Sequence, residues 1–452
     1  RLVVSYIVLS AFFLLSFTSF GDGKGIAPMI LGITGFFVIT GAWGSYQASL
    51  SVIREIQERT WDTQRMSSIS PWEMTWGKLF GSTVFAWAVG GVCYVVFLLV
   101  GLVNGFPMMF TWAQGALLIV LFSQAFSLLL SLQRTHKEVN TRVGRTSGFM
   151  IFAFGMILLV NLLAQLGAYG SFKSSAGRVI HWNGITISFN VFVLGSLYIF
   201  TAWAIIGVYR SMRRELQFQN SPWVWTAFVL WMMFYMVGFV DVIDVFAPPE
   251  LKMLLSSSKS AQFLSILRLK LIIAFFVGAS LTYLTAFIEP KDPVIFRKSL
   301  AAFRAKKWKT FFLTLSGWQV TIVLTLGVMV LSILSSGAAP NLQGTSLKIN
   351  IFILSCSLFM LRDVGIIVMS HFSRDTKRSD TKAALILFLL YFLIPMLIVS
   401  PAGGGVGLAL FYPSFTFGGL LGIIPPAVEC LIVAAVAKTL WQRAFAASVI
   451  DN

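Results

Sequence analysis

The sequence predicts an all-α fold: a polytopic membrane protein of about twelve transmembrane helices. Three observations carry that prediction. Of 452 residues, 57% are hydrophobic and only 11% charged, with a mean hydropathy of +0.83, whereas soluble domains carry about 25% charged residues. A hydrocarbon core of about 30 Å requires about 20 apolar residues per helix, and windows of that length recur along the whole chain. The third observation is where the charge sits. A net charge of +17 would suit nucleic acid, yet 25 of the 34 Lys and Arg fall in every second loop and at the termini, and six in the alternate loops. Lys and Arg are retained on the cytoplasmic side. The sorting therefore points to topology and lipid headgroups instead of nucleic acid, and it expects both termini inside a bacterial cytoplasmic (inner) membrane.

The first span covers 2–20 and stops at the outer turn Gly21-Asp22-Gly23-Lys24-Gly25. It begins immediately after Arg1, without Met, so a native beginning is expected to be missing; no small-residue cleavage site marks it as a signal peptide. The second span, 26–50, leads into a polar inner loop, 52–78. There Ile53, Ile56, Thr60 and Trp61 stand against Arg54, Glu55, Glu58, Arg59, Asp62 and Arg65 at helical spacing. Ser70-Pro71-Trp72-Glu73 then offers an N-cap Ser, Pro at the first helical position and Glu at the third, a capping box. A new helix starts there and enters the third span, 79–103, through Lys78.

Asn104-Gly105-Phe106-Pro107 turns the chain into the fourth span, 109–132; the fifth and sixth, 148–166 and 187–209, flank a long outer segment, 167–186. The second half follows the same layout, with spans at 223–245, 264–287, 310–335, 349–371, 383–400 and 418–437. Its longest inner loop again follows the second span, and its long outer segment, 401–417, again separates the fifth from the sixth. An even number of helices per half preserves orientation. The layout is that of two parallel six-helix repeats, 1–218 and 219–452, related by an axis along the membrane normal. The inner loop of the second half, 289–309, sets Val294, Ile295, Leu300, Phe303 and Trp308 against Arg297, Lys298, Arg304, Lys306, Lys307 and Lys309, a basic amphipathic pattern that suits anionic headgroups.

A charge at mid-bilayer costs about 2.5–3.5 kcal/mol, so such residues face partners or cavities. Arg362 and Asp363 lie past halfway down 349–371, and Glu429 lies near the middle of 418–437, where Pro425-Pro426 loosens the helix. Arg362 and Glu429 are expected to pair between helices; the alternative is a shortened inner helix end. Asp241 and Asp244 at the outer end of one span face Arg268 and Lys270 at the outer start of the next, a structural clasp in preference to an ion path. Cys93, Cys356 and Cys430 all lie in apolar spans, and His136, His181 and His371 fall in separate loops, so no metal site is expected. His181 is a lone imidazole, and general-base work needs a second group within reach.

From Ile53 to Ser82 the chain resembles the permease subunits of ABC transporters of the type 2 export family. In that family the loop between helices 2 and 3 reads Glu-Arg-x-x-Gly-Thr, a leucine-rich run, Ser-Pro and Gly-Lys. Here Glu58, Arg59, Thr60, Ser70, Pro71, Gly77 and Lys78 stand in that order. Thr60 follows Arg59 without the family's Gly, and Thr63 to Ile69 replace the leucines. The resemblance implies that 52–78 is a coupling loop seated in a groove of a separate ATP-binding subunit, present in two copies and holding ATP and Mg. It assigns Arg54, Glu55, Glu58, Arg59, Thr60, Trp61, Asp62, Arg65, Ser70, Pro71, Trp72, Glu73 and Lys78 to that contact, with the tryptophans as interface anchors. It also makes Arg297, Lys298, Arg304, Lys306 and Lys307 a second coupling segment, although Ser-Pro and Gly-Lys are absent there. Family members have six helices and pair. Either this chain is a whole pseudo-dimeric permease on two ATPases, or only its first half couples; accessory membrane or extracytoplasmic subunits fit either case.

The chain has no phosphate-cradling loop of its own, because Trp72 stands where the first Gly before Gly77-Lys78 belongs. Leu315-Ser316-Gly317-Trp318-Gln319 departs from the ATPase signature at Trp318. An ATP-driven exporter of an amphipathic or lipid-linked solute is the expectation. Its rivals are an ion- or proton-coupled secondary transporter using Arg362, Asp363 and Glu429, and a membrane scaffold or lipid-modifying enzyme.

Overall fold

The computed structural model describes residues 26–67, 69–106, 108–135, 179–218, 220–240, 259–289, 291, 293–335, 343–371, 379–399, 410–413 and 422–450. The expected spans 2–20 and 148–166, His136, and Asp241 and Asp244 of the expected clasp lie outside them. The protein is an all-α polytopic membrane protein. Among the described residues nine helices are long and apolar enough to cross a membrane: Ala27–Gln57, Val84–Val103, Met109–Gln133, Phe189–Glu215, Ile266–Ile288, Gly317–Leu334, Leu347–His371, Ser379–Leu397 and Ile424–Arg443. Trp223–Val237 is apolar but shorter. The chain forms two compact units, Arg1–Ile180 with Thr186–Asn220, and His181–Ile185 with Ser221–Asn452.

In the first unit, α1 (Ile26–Phe36) and α2 (Gly44–Gln57) are joined without a break by a π-helical stretch, Phe37–Trp43. A π turn frees a carbonyl from the regular ladder, and no water is at hand inside a bilayer to satisfy it. Gln124 takes that role. Its Nε2 donates to the Thr40 carbonyl at 2.7 Å, while its Oε1 accepts from Trp87 Nε1 at 3.0 Å. Thr40 Oγ1 donates in turn to the Ala86 carbonyl at 3.2 Å.

Around this polar seam the packing is apolar. Met29, Ile33 and Phe36 of α1 meet Cys93, Phe97 and Val100 of α5 (Val84–Val103) and Ala113, Ala116 and Val120 of α6 (Met109–Thr135). Ala48 and Val52 of α2 join Ala125, Leu128 and Leu132 of α6 and Ala204, Val208 and Met212 of α7 (Phe189–Glu215). α1 and α5 cross closely at Gly32, where an added Cβ would lie 2.8 Å from the Cys93 carbonyl oxygen and 2.9 Å from the Phe97 nitrogen. Backbone cannot yield as a side chain can. Gly32→Ala is expected to destabilise by about 1–3 kcal/mol, seen as a lower Tm of the solubilised protein, whereas Gly91→Ala, with open space at its Cβ, leaves Tm unchanged.

A β-hairpin precedes α7. Its strands, β1 (Val179–Trp182) and β2 (Ile185–Ser188), are joined by Asn183-Gly184, both at positive φ, 51° and 77°. Asn-Gly favours that two-residue turn. Sequence reasoning read this stretch as outer loop and passed over the Asn-Gly signal.

In the second unit, α8 (Trp223–Val237) and α9 (Lys259–Ile288) share Val229, Met233, Ala274 and Leu281. α9 also packs against α12 (Gly317–Leu334), and α13 (Gln343–His371) against α14 (Ser379–Phe388) and α16 (Ile424–Ile450). Between α9 and α12 lie two short helices, α10 (Pro293–Arg304) and α11 (Trp308–Thr314). The expected span 310–335 is thus shorter. Ser316 ends the preceding segment by donating its N–H to Gln319 Oε1 at 3.0 Å, a local cap that outcompetes continuation of the helix, so the membrane helix starts at Gly317. The span expected at 79–103 likewise begins at Val84, after a π-helical stretch at Gly77–Gly81.

Candidate functional site

The loop between α2 and α5 is a braced knuckle. α2 ends at Gln57, the Thr60 N–H donates back to the Glu55 carbonyl at 2.9 Å, and Arg59 adopts φ 59°. Left-handed backbone at a non-Gly residue is uncommon. Here it puts two consecutive charges, Glu58 and Arg59, at the apex of the turn. Both are exposed, and among the described residues neither enters an ion pair.

Behind the apex the loop is locked. α3 (Trp61–Arg65) turns Gln64 inward, and Lys78 Nζ donates to its Oε1 at 2.9 Å and to the Glu55 carboxylate. The Lys78 ammonium also lies 5.5 Å from the Trp61 ring centre, within cation–π range. Lys78 is 9% exposed and Trp61 5%. Trp61 is therefore not an interface anchor as expected. It is core, packed with Val52, Met74, Leu79, Leu128, Leu132 and Met212, because the helix break at Arg59 turns its ring back onto the bundle.

α4 (Pro71–Trp76) begins with the full capping box: Glu73 N–H donates to Ser70 Oγ at 3.2 Å and Ser70 N–H to Glu73 Oε2 at 2.9 Å. The Ser70 backbone N–H, and after it the Ser70 hydroxyl, holds the Glu73 carboxyl below its ordinary value of 4.5. A lowered folded value means that the cap is complete above pH 4.5 and is lost as pH falls through the lowered value. Ser70→Ala is expected to speed amide exchange across 71–76 at pH 7, and the difference from the unsubstituted protein should shrink in acid.

Trp72, unlike Trp61, is 50% exposed, edge-on to Trp76 at 5.2 Å and to Tyr209 at 5.7 Å. Met66, Ile69 and Trp72 are exposed apolar side chains of the same loop. Of the remaining loop residues, Arg54 bonds Gln47 at 3.1 Å, Arg65 meets Asp62 at 3.6 Å, and Thr60 Oγ1 donates to the Glu55 carbonyl at 3.3 Å. The loop residues thus divide. Glu55, Ser70, Glu73 and Lys78 satisfy one another and set the shape, while Glu58, Arg59, Asp62 and Trp72 face outward.

The second unit holds a buried ionic cluster. Arg362, 1% exposed, reaches Glu429 through Nη1 at 2.5 Å and Asp363 through Nε at 2.8 Å. Tyr283 and Tyr391 donate their hydroxyls to Asp363 Oδ2 at 2.7 and 2.6 Å. The guanidinium lies 4.7 Å from the Phe359 ring centre and 4.9 Å from that of Tyr391, and Tyr412 donates its hydroxyl to the Tyr391 carbonyl. One cation thus faces two carboxylates from α13 and α16, and the Glu429 side chain keeps 26% of its surface exposed. The tyrosines were missed by sequence reasoning; a hydroxyl inside an apolar span is the signal that marks them.

Arg268, 8% exposed, donates to Asn350 Oδ1 at 2.6 Å, a partner that spacing did not indicate. Lys270 lies two residues further along α9. Among the described residues no cluster of His, Cys, Asp or Glu is arranged to hold a metal, and Cys93, Cys356 and Cys430 are free thiols. No family model, curated protein or solved structure matches the chain.

Proposed function

We propose that the chain is the membrane permease of an ATP-driven exporter of the ABC type, sited in a bacterial cytoplasmic membrane with both termini inside. A separate subunit carries ATP and Mg. The observation that supports this reading is the knuckle: an exposed Glu58-Arg59 apex, without an ion pair among the described residues, mounted on a buried brace. A loop that merely connected two spans would have no reason to hold charges at a costly left-handed residue, about 1–3 kcal/mol, and to lock them from behind with Lys78, Gln64 and Glu55.

The brace also supplies a transmission path. Glu55 belongs to the end of one span, Lys78 to the entry of the next, and Trp61 shares one buried cluster with Leu128, Leu132 and Met212 of two more. A push on the apex moves four helices together. Phe-rich walls, 42 Phe in 452 residues, and few charges inside the spans suit an amphipathic or lipid-linked cargo.

A second reading, proton- or ion-coupled transport, draws on the excess carboxylate at Glu429. Affinity purification of the chain from native membranes separates the two. The ATP-driven reading expects a stoichiometric nucleotide-hydrolysing subunit that stays bound in mild detergent. A chain that transports in vesicles without any such subunit, driven by a proton gradient, sinks it.

A further inference from the structure

The inner hairpin of the second unit differs from the knuckle in chemistry, and the difference assigns it a different partner. α10 turns into α11 at Lys306, which sits at φ 54°. One side packs inward: Ser299 and Ala302 are buried, and Phe296 lies 5.6 Å from Trp318 and 6.1 Å from Trp441 between ring centres. The other side is open. Phe303 is 50% exposed, Trp308 52% and Phe312 43%, and with Phe311 they make one aromatic cluster, the Phe303 ring 5.7 Å from Trp308 and 5.4 Å from Phe311.

Lys298, Arg304, Lys306, Lys307 and Lys309 of the same hairpin are exposed, and among the described residues none of them enters an ion pair. From Pro293 to Ser335 the sequence contains no Asp or Glu. The knuckle carries both signs, Glu58 and Asp62 beside Arg59 and Arg65, as a protein groove of mixed charge requires. The hairpin offers cations alone, interleaved in sequence with exposed aromatic residues, and it lies in the chain between the spans Ile266–Ile288 and Gly317–Leu334. Cations over an apolar face fit phosphate headgroups above acyl chains, and basic residues at an anionic surface add their attractions.

We infer that residues 293–314 form a lipid-binding hairpin that lies on an anionic phospholipid surface, with Phe303, Trp308 and Phe312 at the acyl boundary and the Lys and Arg side chains on the lipid phosphates. The two inner loops are then unequal, one for a protein and one for the bilayer. The inference stands apart from the transport reading, since it involves no second subunit.

The test is amide hydrogen exchange across 293–314 in the full-length protein, reconstituted alone in nanodiscs of phosphatidylcholine, with or without one quarter phosphatidylglycerol. Exchange is expected to slow by about fivefold or more with the anionic lipid, to recover in 0.5 M salt through screening, and to lose its lipid dependence in R304Q/K306Q/K307Q/K309Q. Unchanged exchange in the membrane spans confirms that this variant is folded. Equal exchange in both lipids overturns the inference. So does protection that arises only when a nucleotide-hydrolysing subunit is added, which would make the hairpin a second motor contact.

Discussion

On the proposed exporter reading, replacing Glu58 by Ala and Arg59 by Asn together is expected to release a nucleotide-hydrolysing subunit, lowering its affinity by about 30-fold or more, as loss of a charged hot spot worth about 2 kcal/mol does. Asn is chosen because Arg59 occupies φ 59°, where Asn is tolerated better than Ala. The fold should survive, because neither side chain takes part in the Lys78 brace. Substituting Lys78 instead would disturb the brace itself, so it does not isolate the contact. The measurement is the amount of co-purified subunit and the nucleotide hydrolysis that it shows with the permease. Full binding and full stimulation in the double variant would remove the knuckle from any coupling role.

Arg362→Met is expected to have the largest effect on stability. It leaves Asp363, 1% exposed, and Glu429 without their shared cation, and breaking a buried ion pair from one side costs about 3–5 kcal/mol. Glu429→Gln should cost much less, since Arg362 keeps Asp363 and the Glu429 side chain is 26% exposed. The readouts are monodispersity and Tm of the solubilised protein. Arg362→Met with the parent's Tm would show that the cluster is not held together by mutual neutralisation. Glu429→Gln also separates the two transport readings: nucleotide-driven transport persists in the variant if the exporter reading holds, and transport stops if this carboxylate carries the coupling proton.

Much of the site was legible because its determinants are local. The capping box at Ser70-Pro71-Trp72-Glu73 depends on atoms three residues apart, so the residue types alone fix it. The Arg362–Glu429 meeting was legible for a different reason, since a bilayer leaves so few places for a charge that matching depth selects the partner. Trp61 went the other way. Its neighbours along the chain are polar, and only the turn at Arg59 sends its ring inward to Leu128 and Met212. The Ser316 cap escaped notice because Gly317-Trp318-Gln319 reads as part of an apolar run.

By itself the sequence determined the class of molecule and the approximate extent of its spans, because the bilayer imposes length and hydropathy on each segment separately. Tertiary structure alone decided which loop charges are spent on one another and which are left facing outward. Lys78 and Arg59 are both cations of the same loop, and only the fold brings Glu55 and Gln64 to the first and leaves the second exposed, without an ion pair among the described residues. A charge's role depends on what lies within a few ångströms of it, and those neighbours are distant in the chain.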